Sequence, residues 1–286
     1  MLVRTTRDTE DFATQTGGWI AADPVANSIL LTLLKGAQFR PPAAPPTTWS
    51  RVEDPASDGS PVVGAAAFTP PHPVVLSGMP AAAAAALGAE LGAETGAGAE
   101  RAPGVIGADP SAAAFAGAWS RATGRSARAD RREHLLSLDG PAPAEPRPAV
   151  PGRSRAARPE ESELFTDWCL EAAHGAGLGR EIVRRSLRGQ IAGGLLRVWE
   201  EDGQPVAVLG RTAAVAGVTR FNPLCSRPGL RHDGCARALL GEAVAALRAD
   251  GLTGLAVVGD GNPAARGLFE SFGFRRVGGL SEYRFD

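Results

Sequence analysis

The stretch Pro228-Gly229-Leu230-Arg231-His232-Asp233-Gly234-Cys235-Ala236-Arg237-Ala238-Leu239-Leu240 constrains this chain more than any other. It reads as the end of a strand, an Arg-x-x-Gly-x-Ala turn, and the start of an amphipathic helix. Such a turn aims several backbone N–H groups at one spot, the N-terminus of the helix. Free donors and the helix dipole favour an anion there, typically a diphosphate. Gly234 and Ala236 keep side chains out of the way, so that a phosphate can approach the backbone. Arg231 adds positive charge, and every residue of the turn from Arg231 to Arg237 offers a backbone N–H.

A chain of 286 residues suits one large domain or two of moderate size, and 44% hydrophobic residues are enough for real cores. The formal net charge of -1 gives no global pull toward nucleic acid or a membrane surface. Lys35 is the only lysine, so a lysine-based mechanism is nearly excluded. Cys169, Cys225 and Cys235 are too few for a disulfide framework and fit a reducing compartment. The N-terminus has no basic-then-apolar leader, and no apolar run is long enough to span a bilayer. The expectation is a soluble cytoplasmic protein.

The run Asp139-Gly140-Pro141-Ala142-Pro143-Ala144-Glu145-Pro146-Arg147-Pro148 is too rich in proline for helix or inner strand and reads as a linker. It divides the chain into a first domain at 1–140, a Pro/Arg-rich linker at 141–158 and a second domain at 159–286. In the second domain the apolar spacing predicts a helix over 160–176 and another near 180–190. Strands are expected at 195–200 and 205–209, around an Asp202-Gly203 hairpin signal. A strand over 218–226 is broken by Asn222-Pro223, which argues for a bulge or a splayed edge. After the turn and its helix come a buried strand at 252–258, a short helix at 264–272, and closing strands at 274–277 and 280–285. The first half repeats this order loosely. The place where it would carry the anion turn, Leu76-Ser77-Gly78-Met79-Pro80, has no arginine, and Pro80 removes a donor.

In these residues the second half resembles the GCN5-related N-acetyltransferase (GNAT) family. Arg231-His232-Asp233-Gly234-Cys235-Ala236 after a strand matches the family's acyl-CoA motif, with Pro228 three residues earlier. Asn262, Phe269, Gly273 and Phe274 match its next motif, an Asn before a helix followed by an aromatic and then Gly-Phe. Glu282-Tyr283-Arg284-Phe285 looks like the closing strand of a bacterial subgroup with a degenerate N-terminal GNAT-like half. The resemblance is specific over 195–285, plausible from Pro159, and architectural for the first half. It implies an α/β fold of mixed sheets in tandem, the second with a splayed central sheet, and acyl transfer from a thioester to an amine.

The resemblance also implies a site. In the family the strand before the turn splays and pantetheine pairs with its main chain. Asn222-Pro223-Leu224-Cys225-Ser226 occupies that place, so Leu224, Cys225 and Ser226 are expected to bind cofactor. They join Arg231, His232, Asp233, Gly234, Cys235, Ala236, Arg237, Asn262 and Phe269. The N–H of Leu224 or a neighbour would stabilise the oxyanion. His232 stands where glycine is common, either as a phosphate partner or as a solvated loop residue. Phe269 departs from a common tyrosine and cannot protonate the leaving thiolate. Tyr283 is the only tyrosine and reads as packing. A general base is sought at Asp260, at Glu200 or Glu201, at Glu171 or His174, or in a water relay. Trp168, Glu171 and Trp199 are expected near the acceptor, where the tryptophans line a pocket or belong to the core. Cys225, His232 and Cys235 match no zinc spacing, so no metal is expected.

The leading expectation is an enzyme that moves an acetyl or other acyl group from CoA to a small-molecule amine by direct attack. A second keeps the fold with an aminoacyl-tRNA donor, served by Arg153, Arg155 and Arg158 and by Arg184, Arg185 and Arg188. A third is a non-catalytic acyl-CoA sensor or pseudoenzyme.

Overall fold

The computed structural model describes residues 1–37, 44–57, 61–96, 101–140, 150–172, 179–229 and 234–286. The chain runs through the same series of ten elements twice. The first series is β1 (Leu2–Thr6), α1 (Thr9–Ala22), α2 (Ser28–Ala37), β2 (Thr48–Glu53), β3 (Val62–Phe68), β4 (Val74–Leu76), α3 (Ala81–Gly96), β5 (Gly104–Ala108), α4 (Asp109–Thr123) and β6 (Ala127–Leu138). The second is β7 (Arg153–Ala156), α5 (Ser162–Ala172), α6 (Arg180–Ala192), β8 (Leu196–Glu201), β9 (Gln204–Arg211), β10 (Val218–Ser226), α7 (Cys235–Ala249), β11 (Thr253–Gly259), α8 (Pro263–Ser271) and β12 (Arg275–Phe285). A single 3₁₀ turn, Pro159–Glu161, leads into α5. Among the described residues no helix is long and apolar enough to cross a membrane.

The chain divides into two compact units that do not follow chain order. Unit 1 holds residues 1–135, 258–261 and 276–286, and unit 2 holds 136–257 and 262–275. In unit 1, β1, β2, β3 and β4 form antiparallel pairs and β4 runs parallel to β5. Strand β12, the last of the second series, then pairs antiparallel with β5 from Leu280↔Ala108 to Arg284↔Gly104. The helix pair α3–α4 covers Val74, Leu76 and Val105 with Leu87, Phe115 and Trp119, and Tyr283 and Phe285 pack onto this core. Trp119 stacks on Phe285 at 3.8 Å between ring centroids. Tyr283 is thus a packing residue of unit 1.

Unit 2 repeats the arrangement. β7, β8, β9 and β10 form antiparallel pairs, and β10 runs parallel to β11. A parallel neighbour needs a crossover, which α7 supplies here and α3 supplies in unit 1. On one face α5 and α6 seal Val198, Val208 and Cys225 under Phe165, Trp168 and Leu187. On the other face α7 lies over Leu209 and Phe221, above a cavity of about 280 Å³ that its Leu239 and Leu247 help to line.

The hairpin between β8 and β9 turns on Asp202 and Gly203, both at positive φ, as the Asp-Gly pair requires. The structure also contains elements that the hydrophobic pattern did not mark. β1, β2 and β7 are short and largely polar, and their place is fixed by main-chain pairing. β6 runs twelve residues rather than four, because its first half, Arg128 to Glu133, is polar and mostly exposed. The two closing strands are one continuous strand, β12, which carries Gly278 and Gly279 within it.

Candidate active site in unit 2

The candidate site begins where β10 leaves β11. The parallel pairing runs from Val218↔Thr253 to Phe221↔Ala256 and, among the described residues, no further. On its other edge β10 stays paired with β9, but the register slips between Phe221↔Arg211 and Leu224↔Leu209. One extra residue sits on β10 there, at Asn222-Pro223, whose peptide bond is cis. A proline has no N–H for the ladder, so it belongs where pairing stops.

The alternation of hydrogen bonds beyond the bulge decides which groups are available. The Arg227 N–H donates to the Val206 carbonyl at 2.8 Å, which makes that a hydrogen-bonded pair. Cys225↔Val208 is then the next hydrogen-bonded pair, while Leu224 and Ser226 face β9 without bonding to it. Their N–H and C=O groups point to the edge that β11 has left. Both residues are half-buried, and Cys225 between them is buried.

Gln190 of α6 closes the bulge from the α5–α6 side. Its Nε2 donates to the Asn222 carbonyl at 2.7 Å. Gly210 on β9 makes room for it, since a Cβ at that position would collide with Gln190 Oε1 and lie 2.8 Å from the Asn222 oxygen. Gln190 Oε1 is buried without a hydrogen-bond partner.

The second feature is the start of α7. Its N-cap, Gly234, has φ +86° and brings no capping side chain of its own. Ala238 N–H bonds back to the Gly234 carbonyl at 2.9 Å, so Cys235, Ala236 and Arg237 form the first turn of the helix, where its N–H groups lie. A Cβ on Gly234 would also come within 2.8 Å of Val150 Cγ1. Cys235 is buried, while Ala236 and Arg237 are half-buried, and the Arg237 guanidinium lies 5.2 Å over the Phe272 ring. Leu230, Arg231, His232 and Asp233 lie outside the described residues, as does His174.

In unit 1 two donors of the corresponding turn, between β4 and α3, are occupied from within. Ser77 N–H bonds to the Ala65 carbonyl, and Gly78 N–H donates to Asn27 Oδ1 at 2.9 Å. Asn27 is buried and held in turn by the Ile20 carbonyl.

The remaining expected residues fall into several settings. Asn262 caps α8, its Oδ1 accepting from Ala265 N–H at 3.0 Å. Phe269 is buried and meets Phe274 edge-on at 5.1 Å. Asp260 belongs to unit 1, where it is exposed and bonded to the buried His134 through Nε2 at 2.8 Å. Glu171 is exposed at the end of α5. Trp168 is buried in the α5–α6 core, and Trp199 is buried with its Nε1 donating to the Pro151 carbonyl.

Glu200 is buried inside a cationic cluster. Arg155 Nε donates to it at 2.5 Å, Arg153 at 3.2 Å, and Arg158 stands at 3.8 Å. Arg155 also grips Glu161. The Arg155 guanidinium holds the Glu200 carboxyl below the usual carboxylate range, with Arg153 adding to the effect. A carboxylate so engaged is a poor proton acceptor for a substrate. The arginines of α6 are likewise engaged, Arg180, Arg184 and Arg188 with Glu163 and Arg185 with Glu181.

Sequence reasoning missed Arg220, Gln190 and His134. A charged residue inside the strand 218–226 was a visible signal for Arg220. Nothing marked Gln190 or His134, whose roles depend on distant partners.

Comparisons with known proteins agree with this geometry. The model of the acetyltransferase (GNAT) family matches residues 158–274. An acetyltransferase of the GNAT family from Colwellia psychrerythraea is 12% identical, and the match covers 100% of both chains with a TM-score of 0.61. A GCN5-related N-acetyltransferase from Sphaerobacter thermophilus is 17% identical, covering 99% of this chain and 94% of that one, with a TM-score of 0.61. A tandem GNAT protein from the clavulanic acid biosynthesis pathway is 15% identical, covering 99% and 98%, with a TM-score of 0.58. No curated protein matches the chain. The domain that carries the β10 bulge and α7 belongs to the GNAT acetyltransferase family, and the chain as a whole has the tandem GNAT fold.

Proposed function

We propose that this chain is an acyltransferase that moves an acetyl or related acyl group from CoA to the amine of a small molecule. The observation that carries the reading is the parting of β10 from β11, which leaves the Leu224 and Ser226 main chain directed at an unpaired edge. Pantetheine would pair with that edge, and the diphosphate would take the N-terminal turn of α7 together with Arg231. The donor supplies the thioester, and the residues of this chain orient it.

In the transfer, the neutral amine nitrogen attacks the thioester carbon and a C–N bond forms. The carbonyl oxygen becomes an oxyanion, which the Leu224 N–H faces. The C–S bond then breaks and the thiolate leaves. Phe269 has no proton to give, so water protonates the thiolate, a tolerable arrangement for a leaving group with a thiol pKa of about 8.5. The ammonium proton passes to water or to a carboxylate. Glu200, locked among arginines, does not serve as that carboxylate.

We further propose that unit 1 does not seat the donor, since Ser77 and Gly78 N–H in its β4–α3 turn are already bonded and Pro80 has none to offer. The aminoacyl-tRNA reading loses its basis in the arginine clusters, because most of those side chains are paired with carboxylates. A thermal-shift titration with CoA and acetyl-CoA, alongside Arg231→Ala, tests the reading. Saturable stabilisation that the substitution weakens supports it. No stabilisation of the wild type contradicts it.

A further inference from the structure

Arg220 is a half-buried cation with no counter-charge among the described residues. It lies on β10 two residues before the bulge. Its main chain is fully engaged with Thr212: its N–H donates to Thr212 Oγ1 at 3.0 Å, and its carbonyl accepts from Thr212 N–H at 2.9 Å. Its Nη1 is buried with no partner. No carboxylate among the described residues pairs with it.

The register fixes the side of the sheet on which Arg220 stands. Phe221, opposite Arg211, faces the α7 cavity together with Leu209. Successive residues of a strand alternate faces, so Arg220 shares the other face with Thr212, Gly210 and Val208. That is the face covered by α5 and α6, on which Gln190 reaches the bulge. Thr212, Gly210 and Gln190 carry no charge. Burial alone pushes the Arg220 guanidinium down to about 10, which still leaves it protonated at neutral pH. An unpaired buried charge is costly to a fold. A position so placed is understood most simply if a ligand completes it.

Building on the acyltransferase reading, we infer that Arg220 seats a carboxylate of the amine acceptor, so that the acceptor is an amino-acid-like molecule. A planar guanidinium fork matches a carboxylate. One guanidinium among neutral neighbours suits a monoanion better than a dianionic phosphate. The same face offers the complementary group as well, because Gln190 Oε1 is a buried acceptor without a donor. An amine N–H supplies one. One atom is a donor for a carboxylate and the other an acceptor for an amine.

The experiment compares matched acceptors with acetyl-CoA, following free-thiol release. Alanine, valine and phenylalanine are set against ethylamine, isobutylamine and phenethylamine, with wild type, Arg220→Met and Arg220→Lys. The melting temperature is recorded for each protein alone, with CoA, and with CoA plus each amine. The expected result is a preference in kcat/KM for carboxylate-bearing acceptors of about 100-fold in the wild type. Arg220→Met loses that preference, Arg220→Lys keeps part of it, and both keep the CoA shift. Arg220→Met alone melts no lower than wild type. An equal preference in wild type and Arg220→Met overturns the inference. So does a large loss of stability in Arg220→Met without ligand, or the absence of both turnover and stabilisation with every carboxylate-bearing amine. Succinyl-CoA with the neutral amines forms a separate arm. Dependence on Arg220 in that arm alone would move the carboxylate to the acyl chain and overturn the acceptor assignment. If CoA itself gives no shift, the acyltransferase reading fails first.

Discussion

Gly234→Ala tests the start of α7 most sharply. The residue has φ +86°, where an L side chain costs about 1–2 kcal/mol. Its new Cβ would also meet Val150 Cγ1 at 2.8 Å, a contact that forces one group to move. Overpacking of that kind adds about 1–3 kcal/mol. The expected total is a loss of about 2–5 kcal/mol in urea unfolding at constant m-value. The two contributions are separable. Val150→Ala removes Cγ1, so in that background Gly234→Ala keeps the backbone cost and loses the collision. The cycle should therefore show a coupling of about 1–3 kcal/mol between positions 150 and 234. Acetyl-CoA affinity should fall in Gly234→Ala, because the first-turn N–H groups that follow are re-aimed. A neutral Gly234→Ala would refute the left-handed cap. A cost that is the same with and without Val150 would refute the contact.

Other expectations follow from single interactions. Asn262→Ala removes the Oδ1 cap on Ala265 N–H and should cost about 1 kcal/mol, with Asn262→Asp restoring most of it in the same melt. The Glu200 carboxyl is held low by Arg155, so its contribution to stability is complete above the unfolded carboxyl pKa and is lost as pH falls through the lower folded value. Glu200→Gln should therefore melt below wild type at neutral pH, and the gap should narrow as pH falls below about 4.3; a gap that ignores pH contradicts the pairing. All three cysteines are buried, and contact with Cys225 together with burial pushes the Cys169 thiol up. Iodoacetamide at pH 8 should leave the native thiols unmodified and label them all in denaturant, as mass spectrometry would show.

Much of unit 2 was legible because its signals are local. The Asp202-Gly203 hairpin, the break at Asn222-Pro223 and the Asn262-Pro263 helix start are each written in adjacent residues. The apolar run that became β11 was equally plain. What escaped depends on partners far along the chain. β7 looked like the end of a linker, since Arg153-Ser154-Arg155-Ala156 has no apolar alternation, and it forms because β8 offers an edge. Without β7, Glu200 looked like a free hairpin carboxylate; with it, Arg153 and Arg155 close on that carboxyl. Likewise nothing near Tyr283 told that its strand would pair with β5, which lies far earlier in the sequence. Arg220 was visible as a residue but not as an orphan, because the lack of a partner is a property of the whole fold.

The central claim is that the edge of β10 beyond the bulge holds a reacting thioester, and Leu224→Pro is its most direct test. The Leu224 N–H points away from β9, so proline there removes the outward donor and spares the β9 ladder. The account predicts acetyl-CoA binding within a few-fold of wild type and a kcat lower by about 10²–10³ for any acylated amine, the usual consequence of losing an oxyanion donor. A Leu224→Pro enzyme that binds acetyl-CoA and turns over at the wild-type rate would contradict it.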